Sequence, residues 1–270
     1  MRASMTPTDI LLIGAGAFAA GAVNSVAGGG TFFSFPALLA VGVPPVVANA
    51  SNSVALWPGS LTGAWAYRRE LSRYKRYLLP MGLASLIGGI AGGLLLLAAG
   101  DARFAALIPW LLAFATLLFA FSPQLSAALK RVRQHSAASQ PAPTLDPRHG
   151  AGSMGGWLVQ LLVSVYGGFF GAGMGILMMA SLAIGGHEDV QHINALKNLL
   201  SAIIYSVTVV TFIAAGAVSW PHTSVMLVTA SAGGYLGARM ARNIQGPWLR
   251  RVVIAVGSAL TLYYFYKTRG

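Results

Sequence analysis

The amino-acid sequence predicts an all-α polytopic membrane protein built from two inverted repeats. Three observations lead to this prediction: the composition, an internal repeat without gaps, and long apolar segments separated by short basic ones. Of the 270 residues, 56% are hydrophobic and 9% are charged, whereas soluble domains carry about 25% charged residues. Charge this sparse does not cover a water-facing surface of this size, so lipid is the expected surroundings of most of the chain.

The net charge of +12 does not indicate nucleic-acid binding. The cations lie in short segments between apolar runs, as membrane orientation requires. The sequence has no cysteine, which excludes disulfides and thiolate metal sites. Arg2 and the apolar stretch from Ile10 to Val23 resemble a signal peptide. That stretch has a counterpart later in the chain, however, which a removable leader would not have.

Shifting the sequence by 145 positions aligns it with itself, and such repeats define architecture. Asn49 and Ala50 fall on Asn194 and Ala195 in this register. The other matched residues of the first copy are Ala27, Gly28, Gly30, Met81, Gly88, Gly89 and Gly92. The sequence therefore predicts a first half over 8–122 and a second half over 153–267. Residues 123–152, which are rich in Pro, Ser and basic residues, are predicted to form a cytoplasmic linker.

Each half contains three segments that are long enough to cross ~30 Å of hydrocarbon as helices. They are 46–67, 77–98 and 103–122 in the first half, and 190–215, 222–241 and 248–266 in the second. Each half opens with a glycine-interrupted apolar stretch, 8–42 or 154–186, whose second piece is too short to cross alone. We therefore expect a glycine-broken helical hairpin followed by three full transmembrane helices in each half.

Orientation follows from Lys and Arg, which concentrate on the cytoplasmic side. The segments 68–76 and 239–251 and the linker are basic and should face inward, whereas the uncharged turn 216–222 should face outward. The repeat equivalent of 68–76 is 213–221, so the halves are predicted to be inverted. If each opening stretch enters and leaves the membrane on the same side, both chain termini lie outside the cell.

The glycine clusters are the predicted centre of an anion site. The first cluster comprises Gly28, Gly29 and Gly30, which precede Thr31. The second comprises Gly171, Gly173 and Gly175, which precede Ile176. A half-helix that begins inside a membrane protein presents unpaired N–H groups and a partial positive charge, and two such ends bind an anion. Close helix packing is the alternative interpretation, and we favour it for the pairs at 88–89 and 92–93.

Polar residues near the glycines complete the predicted substrate site. Asn49 and Asn52 have counterparts in Asn194 and Lys197, and Asn198 follows. A lysine inside a predicted span is costly and indicates function, unless its side chain reaches the interface. Asn24, just before the first cluster, is a further predicted hydrogen-bond donor, although Phe169 stands at its equivalent position.

His187, Glu188, Asp189 and His192 resemble a metal cluster, but their spacing misses HExxH by one residue. We interpret Asp189 instead as the cap of a helix that begins near Val190, and we predict no metal site and no cofactor. The tryptophans lie mostly near span ends, as interfacial anchors do. They are Trp57, Trp65, Trp110, Trp157, Trp220 and Trp248.

The motifs of the first half resemble the TauE/SafE sulfite exporter family. The resemblance rests on Asn24–Thr31, Phe35-Pro36 and Pro44–Ser53, and more weakly on Gly168–Gly175 and Asn194–Asn198. It implies a carrier for sulfite, sulfonates or related organosulfur anions. Ser181 stands where the first half has Pro36, and Leu196-Lys197 replace Ser51-Asn52, so the second half departs from the family pattern.

The sequence therefore predicts a non-enzymatic secondary transporter of a small anion in the bacterial inner membrane, working by alternating access. Its expected partners are the small anion and the lipid bilayer, and nucleic acid is not expected. A coupling ion (a proton or sodium) and a homodimer stay open. A passive anion channel is the alternative, and a membrane-embedded enzyme is a more distant one. Apart from His192 and His222 near their starts, the spans hold no acidic residue or histidine near their Ser and Thr.

Overall fold

The computed structural model describes residues 5–26, 29–68, 75–137, 154–184, 190–240 and 246–269. Within these ranges every regular element is an α-helix, which confirms the all-α prediction. The nine helices are α1 (Pro7–Val26), α2 (Thr31–Ala40), α3 (Pro45–Ala66), α4 (Lys75–Ala137), α5 (Met154–Phe169), α6 (Met174–Ile184), α7 (Val190–Ala214), α8 (Trp220–Met240) and α9 (Gly246–Arg269).

Helix α4 consists of two helices joined at Gly100, which has a φ of 69° and a ψ of 171°. Only glycine adopts such a conformation without strain, so this residue fixes the break. We call the arms α4a (75–99) and α4b (101–137). Asp101, just after the break, accepts a 2.8 Å hydrogen bond from the backbone N of Val46 and so satisfies the first turn of α3.

The helix order repeats along the chain, with five helical segments in each half once α4 is divided. Helix α3 begins at 45 and α7 at 190, α4a at 75 and α8 at 220, and α4b at 101 and α9 at 246. Each pair is separated by the 145 positions of the sequence repeat. Helix α4b continues to Ala137, well past the predicted start of the linker at 123, and residues 138–153 lie outside the described part of the chain.

The first opening stretch divides, as predicted, into a long first piece and a second piece that is too short to cross. Helix α1 has 20 residues, or roughly 30 Å at 1.5 Å per residue, and only α2, with 10 residues, is too short to cross. Among the described residues, three helices are both long and apolar enough to cross a membrane: α1 over Pro7–Ser25, α4 over Leu78–Gln124 and α7 over Ile193–Ala214. Helices α3, α8 and α9 have the length of a span but are less apolar.

Large apolar side chains cover much of the outer surface. Exposed examples include Leu11 (73%), Val228 (72%) and Leu262 (71%). An apolar belt of this extent is unusual for a water-soluble monomer and suits contact with lipid. Trp65, Trp110, Trp220 and Trp248 are also exposed, whereas Trp57 is partly buried and donates a 2.8 Å hydrogen bond to Ser206.

Each half packs its opening helix on the fourth helical segment of the other half. Helix α1 packs along α8, and α5 along α4a. Small residues permit these contacts: Gly233 meets the backbone of Phe18, and Gly92 meets that of Val165. Gly88, Gly89 and Gly92 therefore serve helix packing, which is the role that the sequence favoured for this region.

Equivalent helices of the two halves lie side by side and run in opposite directions. Along α3 and α7, Trp57 pairs with Ser206 and Gly63 with Asn198. Along α4b and α9, Trp110 packs on Phe265, and the Phe119 carbonyl accepts a 3.0 Å hydrogen bond from Arg250 Nε. In both pairs the numbering rises along one helix as it falls along the other.

Candidate functional site

The first hinge comprises the residues between α1 and α2, of which Gly29 and Gly30 are described and Gly28 is not. Gly29 has a φ of 87°, which favours glycine. Gly30 is the N-cap of α2 and makes no side-chain capping bond. At the start of α2 the backbone N–H groups of Phe32 and Phe33 bond to the hinge carbonyls of Gly29 and Gly30, at 3.1 and 2.9 Å. These amides are therefore satisfied within the protein, and the helix start at the buried Thr31 presents its positive dipole end.

The second hinge comprises Phe170–Gly173, between α5 and α6. Gly171 and Gly173 have φ values of 79° and 76°, so glycine is needed at two positions here. Helix α6 begins at Met174, two residues before the predicted start at Ile176. The hydroxyl of Tyr166 donates a 2.6 Å hydrogen bond to the carbonyl of Ala172 and ties the hinge to α5.

The two hinges meet on one face of α4b. A Cβ atom on Gly29 would lie 2.5 Å from Phe119 Cζ, and one on Gly173 would lie 3.4 Å from Leu118 Cδ1 and 3.6 Å from Ala115 Cα. Residues 115, 118 and 119 are three and four apart, so they share one side of the helix. Both hinges therefore pack against α4b, and an anion site formed between them stays a prediction.

An aromatic cluster that the sequence did not predict packs beside the hinges. Phe35 of α2 meets Phe170 of the second hinge at 5.7 Å between ring centroids, and Phe104 meets Phe169 at 5.5 Å. Both pairs are edge-to-face, a favourable arrangement. The cluster thereby joins α2 to the second hinge, which lies more than 120 positions away in the sequence.

The polar run of α3 is buried and bonded within the protein. Asn49, which is 1% exposed, donates a 3.0 Å hydrogen bond from Nδ2 to the carbonyl of Phe169 at the edge of the second hinge. Asn52 accepts a hydrogen bond from the Ser34 hydroxyl of α2. Ser51 accepts a 2.9 Å bond from the backbone N of Ser219. These side chains hold neighbouring segments together, and substrate contact by Asn49 or Asn52 stays a prediction.

The side-chain oxygen of Asn49 accepts no hydrogen bond from the described residues. This Oδ1 atom is buried. Buried polar atoms are nearly always paired, so this oxygen indicates either an ordered water or a donor supplied by a ligand. It belongs to the residue that contacts the second hinge, which links the unsatisfied atom to the predicted site.

The second half places Lys197 beside its hinge helix. A Cβ atom on Gly175, in the first turn of α6, would lie 3.6 Å from Lys197 Cδ. Lys197 is partly buried, and its ammonium group has no partner among the described residues. Asn194 is also partly buried, whereas Asn198 lies against Gly63 of α3 with its Cγ atom 3.6 Å from the Cβ position there. The structure therefore brings together Lys197 and Gly175, but it turns Asn198 towards α3.

Asn24 lies next to the first hinge, with its Cβ atom 3.1 Å from the Cβ position of Gly30, and its side chain is exposed. Tyr205 was not among the residues predicted from the sequence. Its hydroxyl oxygen lies 3.4 Å from the Cβ position of Gly171. The repeat contained a signal for it, because the equivalent residue of the first half is Ser60. A tyrosine at only one of two equivalent positions marks a difference between the hinges.

The histidine-rich segment mostly falls outside the description: residues 185–189 are not covered, nor is the side chain of His192. Among the covered residues, no group of three or more His, Asp or Glu side chains is placed to hold a metal ion.

Comparison with known proteins finds a matching family model and several similar proteins. The family model for "Sulfite exporter TauE/SafE" matches residues 13–264. A "Probable membrane transporter protein" of Haemophilus influenzae is 25% identical, with 92% of this chain and 91% of that protein covered. "Probable membrane transporter protein ORF9" of Sinorhizobium sp is 28% identical (91% and 88% covered), and "Probable membrane transporter protein YfcA" of Escherichia coli is 26% identical (94% and 88% covered). No solved structure gives a significant match.

Proposed function

The chain belongs to the sulfite exporter TauE/SafE family of membrane transporters, and we propose that it carries a small anion across the bacterial inner membrane by alternating access. The proposed substrate class is sulfite, sulfonates or related organosulfur anions. The observation that carries the proposal is the meeting of the two hinges on α4b, with Lys197 beside the second hinge helix.

The proposed site binds an anion with backbone amides and one side-chain charge. The N-terminal turns of α2 and α6 supply positive dipole ends, as at other anion sites. A bound anion would compete for first-turn amides that bond to the hinge glycine carbonyls in this structure. Lys197 supplies a cation without a competing carboxylate among the described residues. An oxyanion fits these donors because its negative oxygens accept several hydrogen bonds at once.

The proposed transport cycle uses two inverted halves. The antiparallel pairs α3–α7 and α4b–α9 support inversion, because membrane-spanning helices related by the repeat then point to opposite sides. Substrate sites of such transporters lie between the repeats, and one bundle rocks against the other. A coupling ion, which would be a proton or sodium, and a homodimer remain predictions within this scheme.

Anion flux into proteoliposomes tests the function. Lys197→Ala is expected to abolish the flux of sulfite while the protein still inserts. The anion then loses the side-chain charge that Lys197 supplies at the proposed site. Lys267→Ala is the matched control, since Lys267 is exposed near the end of α9, and it should transport normally. Unchanged flux in Lys197→Ala would remove this residue from the site.

Counterflow distinguishes a carrier from a channel. Proteoliposomes that contain a carrier and are preloaded with unlabelled sulfite should transiently accumulate labelled sulfite against its gradient. With a passive channel, the labelled sulfite only equilibrates across the membrane. Equilibration without accumulation would refute alternating access and leave the anion channel as the function.

A further inference from the structure

A side groove lies between α3 and α7, away from the hinges. It has a volume of about 470 Å³, which is within the range of ligand pockets. Its walls come from the C-terminal part of α3 and the middle of α7. They are formed by Leu61, Trp65 and Arg68 on one side and Leu199, Ile203 and Val207 on the other.

The lining excludes a small inorganic anion as the occupant. Apart from Arg68 and the Ser206 hydroxyl, the side chains are apolar, and Ser206 already bonds to Trp57 and to the Ala202 carbonyl. A hydrated oxyanion moved into such a groove would lose its water without replacement donors. An occupant must therefore bring a long apolar body.

The mouth of the groove adds a requirement for negative charge. Arg68 is exposed, donates a 3.0 Å hydrogen bond to the Trp65 carbonyl, and stacks at 4.6 Å from the centroid of the Trp65 ring. Trp65 is 69% exposed, as an interfacial tryptophan is. This arrangement holds the guanidinium at the rim of the groove.

The repeat shows that this cation is not a requirement of the fold. The residue of the second half equivalent to Arg68 is Ile213, and the equivalent of Trp65 is Val210. Within the described residues, the end of the α3–α7 pair at Arg68 therefore combines an apolar groove with a cation, and the equivalent position of the second half carries none. Basic pockets between transmembrane helices on the cytoplasmic side are typical sites for anionic lipid headgroups.

We propose that this side groove binds one anionic phospholipid, with an acyl chain between α3 and α7 and the headgroup phosphate on Arg68. The lipid would contact equivalent helices of both halves at once. The proposal concerns a site separate from the hinges, so it does not depend on the identity of the transported anion.

Native mass spectrometry of the full chain, released from detergent micelles, tests the lipid. We expect phosphatidylglycerol to be retained about five-fold better than phosphatidylethanolamine with the same acyl chains. Arg68→Gln should remove that preference. Arg68→Lys, which keeps the charge, should retain it, and so should Arg103→Gln, which removes an exposed arginine outside the groove.

A fluorescence measurement locates the bound chain even if Arg68→Gln fails to fold. Phosphatidylglycerol with brominated acyl chains should quench the wild-type protein more than Trp65→Phe, because Trp65 lines the groove. Equal retention of the two lipids by the wild type, a preference that survives in Arg68→Gln, or equal quenching of the wild type and Trp65→Phe would each overturn the proposal.

Discussion

The polar runs of α3 and α7 occupy equivalent positions in the repeat but differ in their surroundings. Asn49 and Asn52 are almost fully buried and bond to other segments of the protein. Their equivalents, Asn194 and Lys197, are only partly buried and have no partner among the described residues. We infer that the first copy of the polar motif acts as a structural clamp, and we propose that the second copy offers its groups to a ligand.

The hinges show the same difference. The Cβ position of Gly29 lies against the ring of Phe119, whereas that of Gly173 makes only ordinary contacts with α4b. Both hinges have neighbours joined to α3: Ser34 of α2 bonds to Asn52, and Asn49 bonds to the Phe169 carbonyl. We infer that the first half supplies the firmer wall of the site and the second half most of its substrate contacts.

The largest expected effect on stability comes from Gly29→Ala. Alanine at a positive φ costs about 1–2 kcal/mol, and its methyl group would also clash with Phe119, at about 1–3 kcal/mol more. Gly173→Ala meets the backbone penalty alone and should lose about 1–2 kcal/mol. Thermal unfolding of both variants in the same detergent measures the difference. Equal losses would show that the first hinge is not the more tightly packed one.

Replacing Asn49 and Asn194 distinguishes the structural role inferred for the first from the ligand contact proposed for the second. Asn49→Leu leaves the Phe169 carbonyl without its donor and should lower the free energy of unfolding by about 1–3 kcal/mol. Asn194→Leu should change stability little and reduce sulfite flux instead. Stability from thermal unfolding and flux in proteoliposomes are measured on both variants. If Asn194→Leu is the less stable protein, the assignment of roles is reversed.

The smallest expected effect is that of Tyr205→Phe. Removing the hydroxyl near Gly171 takes away one donor at the second hinge, so sulfite flux should fall by about five- to ten-fold at low substrate, the equivalent of one hydrogen bond of 1–1.5 kcal/mol. Ser60→Ala, at the equivalent position of the first half, should not alter flux. A reduction in Ser60→Ala as large as that in Tyr205→Phe would remove the difference between the hinges.

Much of the fold follows from local sequence signals. The repeat predicted five helical segments per half, and the starts of α3, α4a and α4b recur 145 positions later. Glycine at 29, 171 and 173 marked the hinges, because positive φ angles require it. The single lysine within a predicted span lies beside Gly175, and its role in substrate binding stays a prediction.

The remaining features depend on packing between distant segments, which local patterns do not encode. The bond from Asn49 joins residues 120 positions apart, and nothing near Asn49 in the sequence indicates Phe169. The aromatic cluster likewise combines residues from α2, α4b and the second hinge.

An anomalous-scattering map of crystals soaked in selenite, a heavier analogue of sulfite, tests most directly whether the hinges form the anion site. The account predicts one selenium peak between the first turns of α2 and α6, close enough for the selenite oxygens to accept hydrogen bonds from them, with Lys197 Nζ nearby, and the loss of this peak in Lys197→Ala. A peak away from both hinges, in crystals whose protein transports sulfite, would contradict the account.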